Sequence, residues 1–462
     1  MYTEEIAKAL NCNSSLTSID FSFNPIGIEV VVAIAEALKF NSTLTTIKFS
    51  TNEIGKEGAA AIAEALKINS TLTSISFHSN KIGVEGAAAI AEALKVNSTL
   101  TSIDFYHNQI GIEGAAVIAE ALRVNSSLTS INLAGNEIGK IGTDAIAKAL
   151  KVNSTLTSID FSWNNLAMES AAAIAEALKI NKALNFINLN YNKIGIEGGS
   201  AIAEALKVSS TLTSLNLSGS EIGIEGAAAI AKALKVNSSL ISLDLTRNKI
   251  GNEGAIAIAE MLKINATLTS IILDENRIGT EGISAIAKAL KVNAILTSID
   301  ISSNDIRMEG QVAIAEMLKN NSTLTSIKLV QSIIGVKGGA AIAEALKVNS
   351  TLTSLNLASS SIAMQCVYGI MDALKINSTL TSLMLQRCHF TGGEEFSFSE
   401  ALEALRFNPT LSTLLAGFSD DICPKFAINT QHDLKSILKL LIGDDGAKVL
   451  AIDFRMKVRE IQ

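Results

Sequence analysis

Leucine recurs at positions 16, 44, 72, 100, 128, 156, 184, 212, 240, 268, 296, 324, 352 and 380, and every interval is 28 residues. Such a period restricts the fold strongly, because one short unit cannot bury an apolar face alone and gains a core only by stacking on its neighbours. Dividing the 462 residues by an average domain of ~150 suggests about three domains. The repeat replaces that division with one array. Around each leucine the unit reads L-x-x-[I/L]-x-[F/L/I]-x-x-N-x-I-G-x-E-G-A-A-A-I-A-E-A-L-K-V-N-S-T, as at Leu72, Ile75, Phe77, Asn80, Ile82, Gly83, Glu85 and Gly86. Two periodicities share it. Leu72, Ile75 and Phe77 mark a short strand facing a core, and Ile90, Ala91 and Leu94 recur at the spacing of a buried helix face. Each unit is one strand, one loop and one helix.

Composition follows from this grammar. Apolar residues make up 48% of the chain and aromatics 4%, so the core is built from Ala, Ile, Leu and Val. Twenty of the 30 glycines occupy the places of Gly83 and Gly86, where the chain leaves the strand and enters the helix and close approach or positive φ is needed. Glu85 falls where a carboxylate favours a helix N-terminus, and Asn97 ends the helix. The loop asparagine (24, 52, 80, 108, 136, 164, 192, 248, 276, 304) carries a donor and an acceptor able to satisfy backbone groups of neighbouring turns. Ser220, Ser332, Ser360 and Cys388 stand in its place elsewhere.

With these residues in view, the chain resembles the leucine-rich repeat family, in particular its 28-residue ribonuclease-inhibitor-like class with the pattern L-x-x-L-x-L-x-x-[N/C]-x-L. The resemblance covers fourteen units over about 392 residues. It implies an α/β fold, a right-handed horseshoe solenoid with parallel strands on the concave face and helices on the convex face. The family includes inhibitors, innate-immune sensors, GTPase activators and repeat proteins of bacteria that live in host cells.

The array is expected to span residues 16–390. Residues 1–15 read as an N-terminal capping half-repeat, because Ile6, Ala7, Leu10 and Asn13 align with a repeat helix that lacks its strand. Residues 391–462 read as a degenerate repeat and C-terminal cap: Leu411 follows Leu380 by 31 residues, and Phe390, Phe396, Phe398, Phe407, Phe418 and Phe426 supply bulk to seal an end. Asp433 to Gln462 looks mainly helical, and Cys423 is read as a buried cap residue.

Charge and motifs exclude several functions. A formal charge of −7 with 18% charged residues does not suit a strongly basic nucleic-acid binder. The lysine row (Lys67, Lys95, Lys151 and their equivalents) follows Glu by three residues in most copies, which makes a solvated helical face. The four cysteines form no CxxC pair, the four histidines show no metal-ligand spacing, and no nucleophile or phosphate-loop motif is present. No catalytic residue, metal site, cofactor or small-molecule substrate is therefore expected. Without a basic and apolar leader or a long apolar run, the expected location is the cytosol, with delivery into a host cell left open. A membrane partner is not expected, and the chain is expected to be monomeric.

The informative residues break the monotony of the outward strand positions, which have no core duty. His78, Tyr106, His107, Trp163 and Tyr191 fall there or on the ascending loop. One column across successive units reads His107, Gly135, Trp163, Tyr191, Gly219, Arg247. Trp163 and Tyr191 should be adjacent, with a glycine notch on either side, and Trp, Tyr and Arg are the residues that dominate binding hot spots. Asp160 belongs to a column of Asp and Asn in which no two Asp are neighbours, as like charges at strand spacing require. Arg247 and Arg277 extend the face into a mixed-charge rim. These eight residues (His78, Tyr106, His107, Asp160, Trp163, Tyr191, Arg247, Arg277) are the candidate partner-binding set. The function expected is a non-enzymatic protein-interaction scaffold that binds a protein through its concave face and ascending loops. The alternative is a GTPase activator, because I-G-x-E-G-A-x-A-I-A-E-A-L is also similar to Ran GTPase-activating proteins, although an acidic tail is replaced here by Arg455 to Arg459.

Overall fold

A computed structural model describes residues 2–391, 408, 410, 411 and 413–418. The chain divides into two compact units, Met1–Asp244 and Leu245–Gln462. In the first, helices and strands alternate as α1 (Tyr2–Cys12), β1 (Ser18–Asp20), α2 (Ile28–Leu38), β2 (Thr46–Lys48), α3 (Gly55–Leu66), β3 (Ser74–Ser76), α4 (Gly83–Leu94), β4 (Ser102–Asp104), α5 (Gly111–Val124), β5 (Ser130–Asn132), α6 (Gly139–Leu150), β6 (Ser158–Asp160), α7 (Met168–Leu178), β7 (Phe186–Asn188), α8 (Gly195–Leu206), β8 (Ser214–Asn216), α9 (Gly223–Leu234) and β9 (Ser242–Asp244). Each strand pairs in parallel with the next, one repeat further on: Ser74 with Ser102, Ile75 with Ile103, Ser76 with Asp104. A parallel pair needs a crossover, and the helix supplies it. The expected repeat solenoid of strand, loop and helix is what the chain forms.

The core lies between strands and helices. Ile75 and Ile103 at the strand centres and Ile90 and Leu94 on the helix are almost fully buried. Phe21, Phe49, Phe77 and Phe105 stack down the first unit, with centroids 5.8, 6.4 and 5.9 Å apart. This ring column adds contact energy to plain burial. Adjacent helices approach closely at the second repeated glycine, as at Gly142, where a Cβ would lie 2.7 Å from that of Ala115.

Two asparagine ladders tie the repeats. Asn80 is fully buried; its Nδ2 donates to the carbonyls of Phe49 and Phe77, each at 2.8 Å, and its Oδ1 accepts from the amides of Asn52 at 3.0 Å and Ile54 at 3.3 Å. One side chain thus satisfies backbone groups of two rungs, as its donor and acceptor suggested. The helix-end asparagine works similarly. Asn97 donates to the carbonyl of Leu66 at 2.8 Å, a group the end of α3 leaves unpaired, and accepts from Leu100 at 2.7 Å. Asn41 makes the same bond to Leu10 at 2.7 Å, so α1 is joined in the manner of a repeat helix. On the outer face, Lys67–Glu64 at 2.6 Å and Lys95–Glu92 at 2.5 Å are exposed ion pairs.

The second unit continues with α10 (Gly251–Leu262), β10 (Ser270–Ile272), α11 (Thr280–Leu290), β11 (Ser298–Asp300), α12 (Met308–Asn320), β12 (Ser326–Lys328), β13 (Ile333–Ile334), α13 (Val336–Val348), β14 (Ser354–Asn356), β15 (Ser361–Ala363), α14 (Met364–Leu374), β16 (Ser382–Thr391) and β17 (Thr413–Phe418). The loop asparagine is lost at Ser332, Ser360 and Cys388. Ser360 donates to the carbonyl of Leu329 at 3.2 Å and accepts the Ser332 amide at 3.1 Å, and the Cys388 thiol bonds the carbonyl of Leu357 at 3.2 Å. There β13, β15 and the distal half of β16 form an extra parallel ladder, with Ser361 donating to Ser332 at 2.9 Å and His389 to Ser360 at 2.8 Å. Backbone pairing takes over from the shortened side chains. After the break in the period, Asn408 again bonds a helix end, Leu374, at 2.7 Å, and β17 pairs in parallel with β16. Phe396, Phe398, Phe407, Phe426, Cys423 and the helix expected over 433–462 lie outside the described residues, as does the side chain of Phe418.

Candidate functional site

The outward side of each rung ends in a tight reversal. An Asp or Asn at the end of the strand accepts the amide two residues on: Asp104 from Tyr106 at 2.9 Å, Asn132 from Ala134 at 2.9 Å, Asp160 from Ser162 at 2.8 Å. The next residue is left-handed, with φ of 55° at His107, 65° at Gly135, 57° at Trp163, 51° at Tyr191 and 61° at Gly219. Its amide bonds the following rung, as His107 does to Ala134 at 2.9 Å and Trp163 to Asn190 at 3.0 Å. The ladder imposes a backbone that glycine adopts most easily. Gly135 and Gly219, read from the sequence as notches, therefore have a backbone reason as well, while His107, Trp163 and Tyr191 carry side chains there.

Two aromatic groups result in the first unit. Tyr106 meets His78 edge-on at 4.5 Å and lies 6.1 Å from His107. Trp163 stacks on Tyr191 with centroids 4.1 Å apart and planes 19° from parallel. This is close to the ~4.8 Å between strands, so the stack runs from rung to rung. The far side of Tyr191 covers Gly219, where a Cβ would come within 3.0 Å of its ring. Trp163 nevertheless stays 54% exposed. Asp160 adds a bridge to its turn bond, accepting from Asn188 at 2.9 Å. Asp104 does the same with Ser76, also at 2.9 Å.

Sequence reasoning missed Phe186. Its column is otherwise Ser or Thr, namely Ser18, Thr46, Ser74, Ser102, Ser130, Ser158, Ser214 and Ser242 within the unit. That break in a hydroxyl column was the available signal. Phe186 lies half-buried at the start of the strand that leads to Tyr191.

Arg247 and Arg277 belong to the second unit. Arg247 pairs with Glu275 at 2.5 Å, both half-exposed, and Arg277 is exposed. Nearby pairs are Lys328–Asp300 at 3.5 Å and Arg307–Asp305 at 3.1 Å. Burial pushes the Asp274 carboxyl above its ordinary range, and Asp300 and Glu275 push the same way against the Ser303 hydrogen bond and the Arg247 charge. Cys366 and Cys388 are buried, which raises their thiols to about 12 and about 11. Among the described residues, no group of three or more His, Cys, Asp or Glu is placed to hold a metal, and no helix is long and apolar enough to cross a membrane.

A leucine-rich repeat family model matches residues 12–35, 40–63, 69–91, 96–119, 124–147, 152–175, 181–203, 208–231, 236–259, 265–287 and 292–315. Comparison with curated protein sequences gives no match. Among solved structures 183 chains match, including "Leiomodin-1 Actin-Binding Site 2 (ABS2)", which is 30% identical over 28% of this chain and 78% of its own, with a TM-score of 0.27. The family matches together span more than half of the chain and coincide with the stacked units, and the chain belongs to the leucine-rich repeat family.

Proposed function

We propose that the protein is a non-enzymatic scaffold that binds a protein partner on the strand face of its first unit. The observation that carries this reading is Trp163, more than half exposed yet fixed by its stack on Tyr191. Exposed large rings cost solubility and contribute nothing to this repeat core, whereas rigid aromatics dominate the energetics of interfaces. Phe186 adds a half-buried ring to the same strand face, and His78, Tyr106 and His107 form a second contact patch two rungs away. Arg247 and Arg277 supply a charged contact of their own in the second unit.

The test is affinity capture with the wild type and with Trp163→Ala/Tyr191→Ala, both shown to be folded by circular dichroism and by their unfolding midpoints. Loss of the captured partner in the double variant supports the reading, and equal capture removes the ridge from it. A hydrolysis assay against a panel of small GTPases separates scaffold from activator. Stimulated GTP turnover would replace the scaffold with the activator.

A further inference from the structure

The two faces of the aromatic stack are not equivalent. Tyr191 is covered on one side by Trp163 and on the other by the backbone of Gly219. Trp163 stacks on Tyr191 of the next rung and stays 54% exposed, and the rung before it carries Gly135, which has no side chain. The three atoms nearest to a Cβ at Gly135, all at 3.6 Å, belong to Tyr106 and His107 on the opposite side. Gly135 is thus the floor of a slot with His107 and Tyr106 as one wall and the indole as the other. His107 and Trp163 stand two strand spacings apart, roughly 9.6 Å, which leaves room for one planar group at van der Waals distance from the indole.

The three rungs carry net negative charge. Residues 102–109, 130–137 and 158–165 hold three carboxylates, Asp104, Glu137 and Asp160, and no Lys or Arg. None of the three carboxylates takes part in an ion pair among the described residues. Their hydrogen bonds are to a hydroxyl, an amide side chain and backbone N–H groups, which fix Asp104 and Asp160 without neutralising them. A fixed, half-exposed indole on rungs that carry three carboxylates outside any ion pair attracts a cation, and a guanidinium suits it best because it stacks flat while its edge donates to carboxylates.

We infer that the slot between His107 and Trp163 receives an arginine side chain from a basic segment of the protein partner. This rests on the reading that the strand face docks a protein, and it specifies the chemistry that docks there.

Trp163 is the only tryptophan in the chain, so its fluorescence reports directly on the slot. The probes are three synthetic peptides in which glycine alternates with Arg, Lys or Glu. Saturable quenching by the Arg peptide, weaker binding of the Lys peptide and none of the Glu peptide are expected. In Asp104→Asn/Glu137→Gln/Asp160→Asn the affinity for the Arg peptide should fall about tenfold, the scale of a desolvated cation–π contact with its ion pairs. This variant should fold normally, because Asn132, Asn188 and Asn216 occupy the same column and make the same turn bond. Gly135→Asn should block the slot without disrupting the fold, since its neighbours His107 and Trp163 carry side chains on the same left-handed backbone.

Equal quenching by the Glu peptide, no quenching by the Arg peptide, or unchanged affinity in the charge-neutral variant would each overturn the inference. If any of these occurs while Trp163→Ala/Tyr191→Ala still abolishes partner capture, the docking face stands and only its cationic specificity falls. If the double variant captures normally, the ridge is not the docking site, and the inference falls with it.

Discussion

Removing one rung of the buried ladder tests what holds the repeats together. Asn136 is fully buried; its Nδ2 donates to Phe105 at 2.8 Å, Leu133 at 3.0 Å and Ala134 at 2.9 Å, and its Oδ1 accepts the amides of Asn108 at 2.9 Å and Ile110 at 3.4 Å. In Asn136→Ala those two amides lose their acceptor in a space closed to solvent. Each orphaned buried group costs about 1–3 kcal/mol, less what is recovered by no longer burying the carboxamide, so a local loss of about 3 kcal/mol is expected. A repeat array need not unfold in one step, and hydrogen exchange reads the loss where it occurs. The amides of Asn108 and Ile110 should exchange roughly a hundredfold faster, the factor that corresponds to about 3 kcal/mol. Asn136→Ser should fall between, because a hydroxyl keeps one donor bond, as Ser220 does to Leu189 at 3.1 Å. If Asn136→Ala changes protection at Asn108 and Ile110 less than threefold, or no more than Asn136→Ser, the ladder does not carry the stability assigned to it.

Three further outcomes follow from the geometry. Gly219→Ala places a methyl 3.0 Å from the Tyr191 ring on a backbone with φ of 61°, so it should cost about 1–2 kcal/mol and loosen the stack, seen as a red shift and altered quenching of Trp163 emission. Asp274 has its folded pKa raised from 3.8, so it weakens the fold as pH rises through that range; Asp274→Asn should raise the urea midpoint at pH 7, with the gain vanishing in acid where the wild-type carboxyl is already protonated. An unchanged midpoint at pH 7 would contradict this. Cys366 and Cys388, buried and with thiols raised to about 12 and about 11, should resist alkylation at pH 8 in the folded protein while exposed Cys12 reacts, as site-resolved mass spectrometry would show.

The 28-residue period by itself determined the strand, the loop and the helix, the identity of the core columns, and the kind of bonds that Asn80 and its equivalents make. Those properties repeat with the sequence, because each copy meets neighbours like itself. The neighbourhood of Trp163 and Tyr191 was legible for the same reason: a 28-residue offset predicts adjacency. Other features depend on how side chains of different repeats meet at a fixed rung distance. Phe186 gained meaning only when its strand was seen to lead to Tyr191. Asp160 proved tied to its own turn and to Asn188. Gly135 and Gly219 look equivalent in the sequence column, yet the fold brings the Tyr191 ring within 3.0 Å of a Cβ at Gly219, whereas a Cβ at Gly135 would meet Tyr106 and His107 at 3.6 Å. The repeat fixed which residues would be neighbours; stacking decided which of their faces stayed open, because that depends on the direction each ring takes across the gap between rungs.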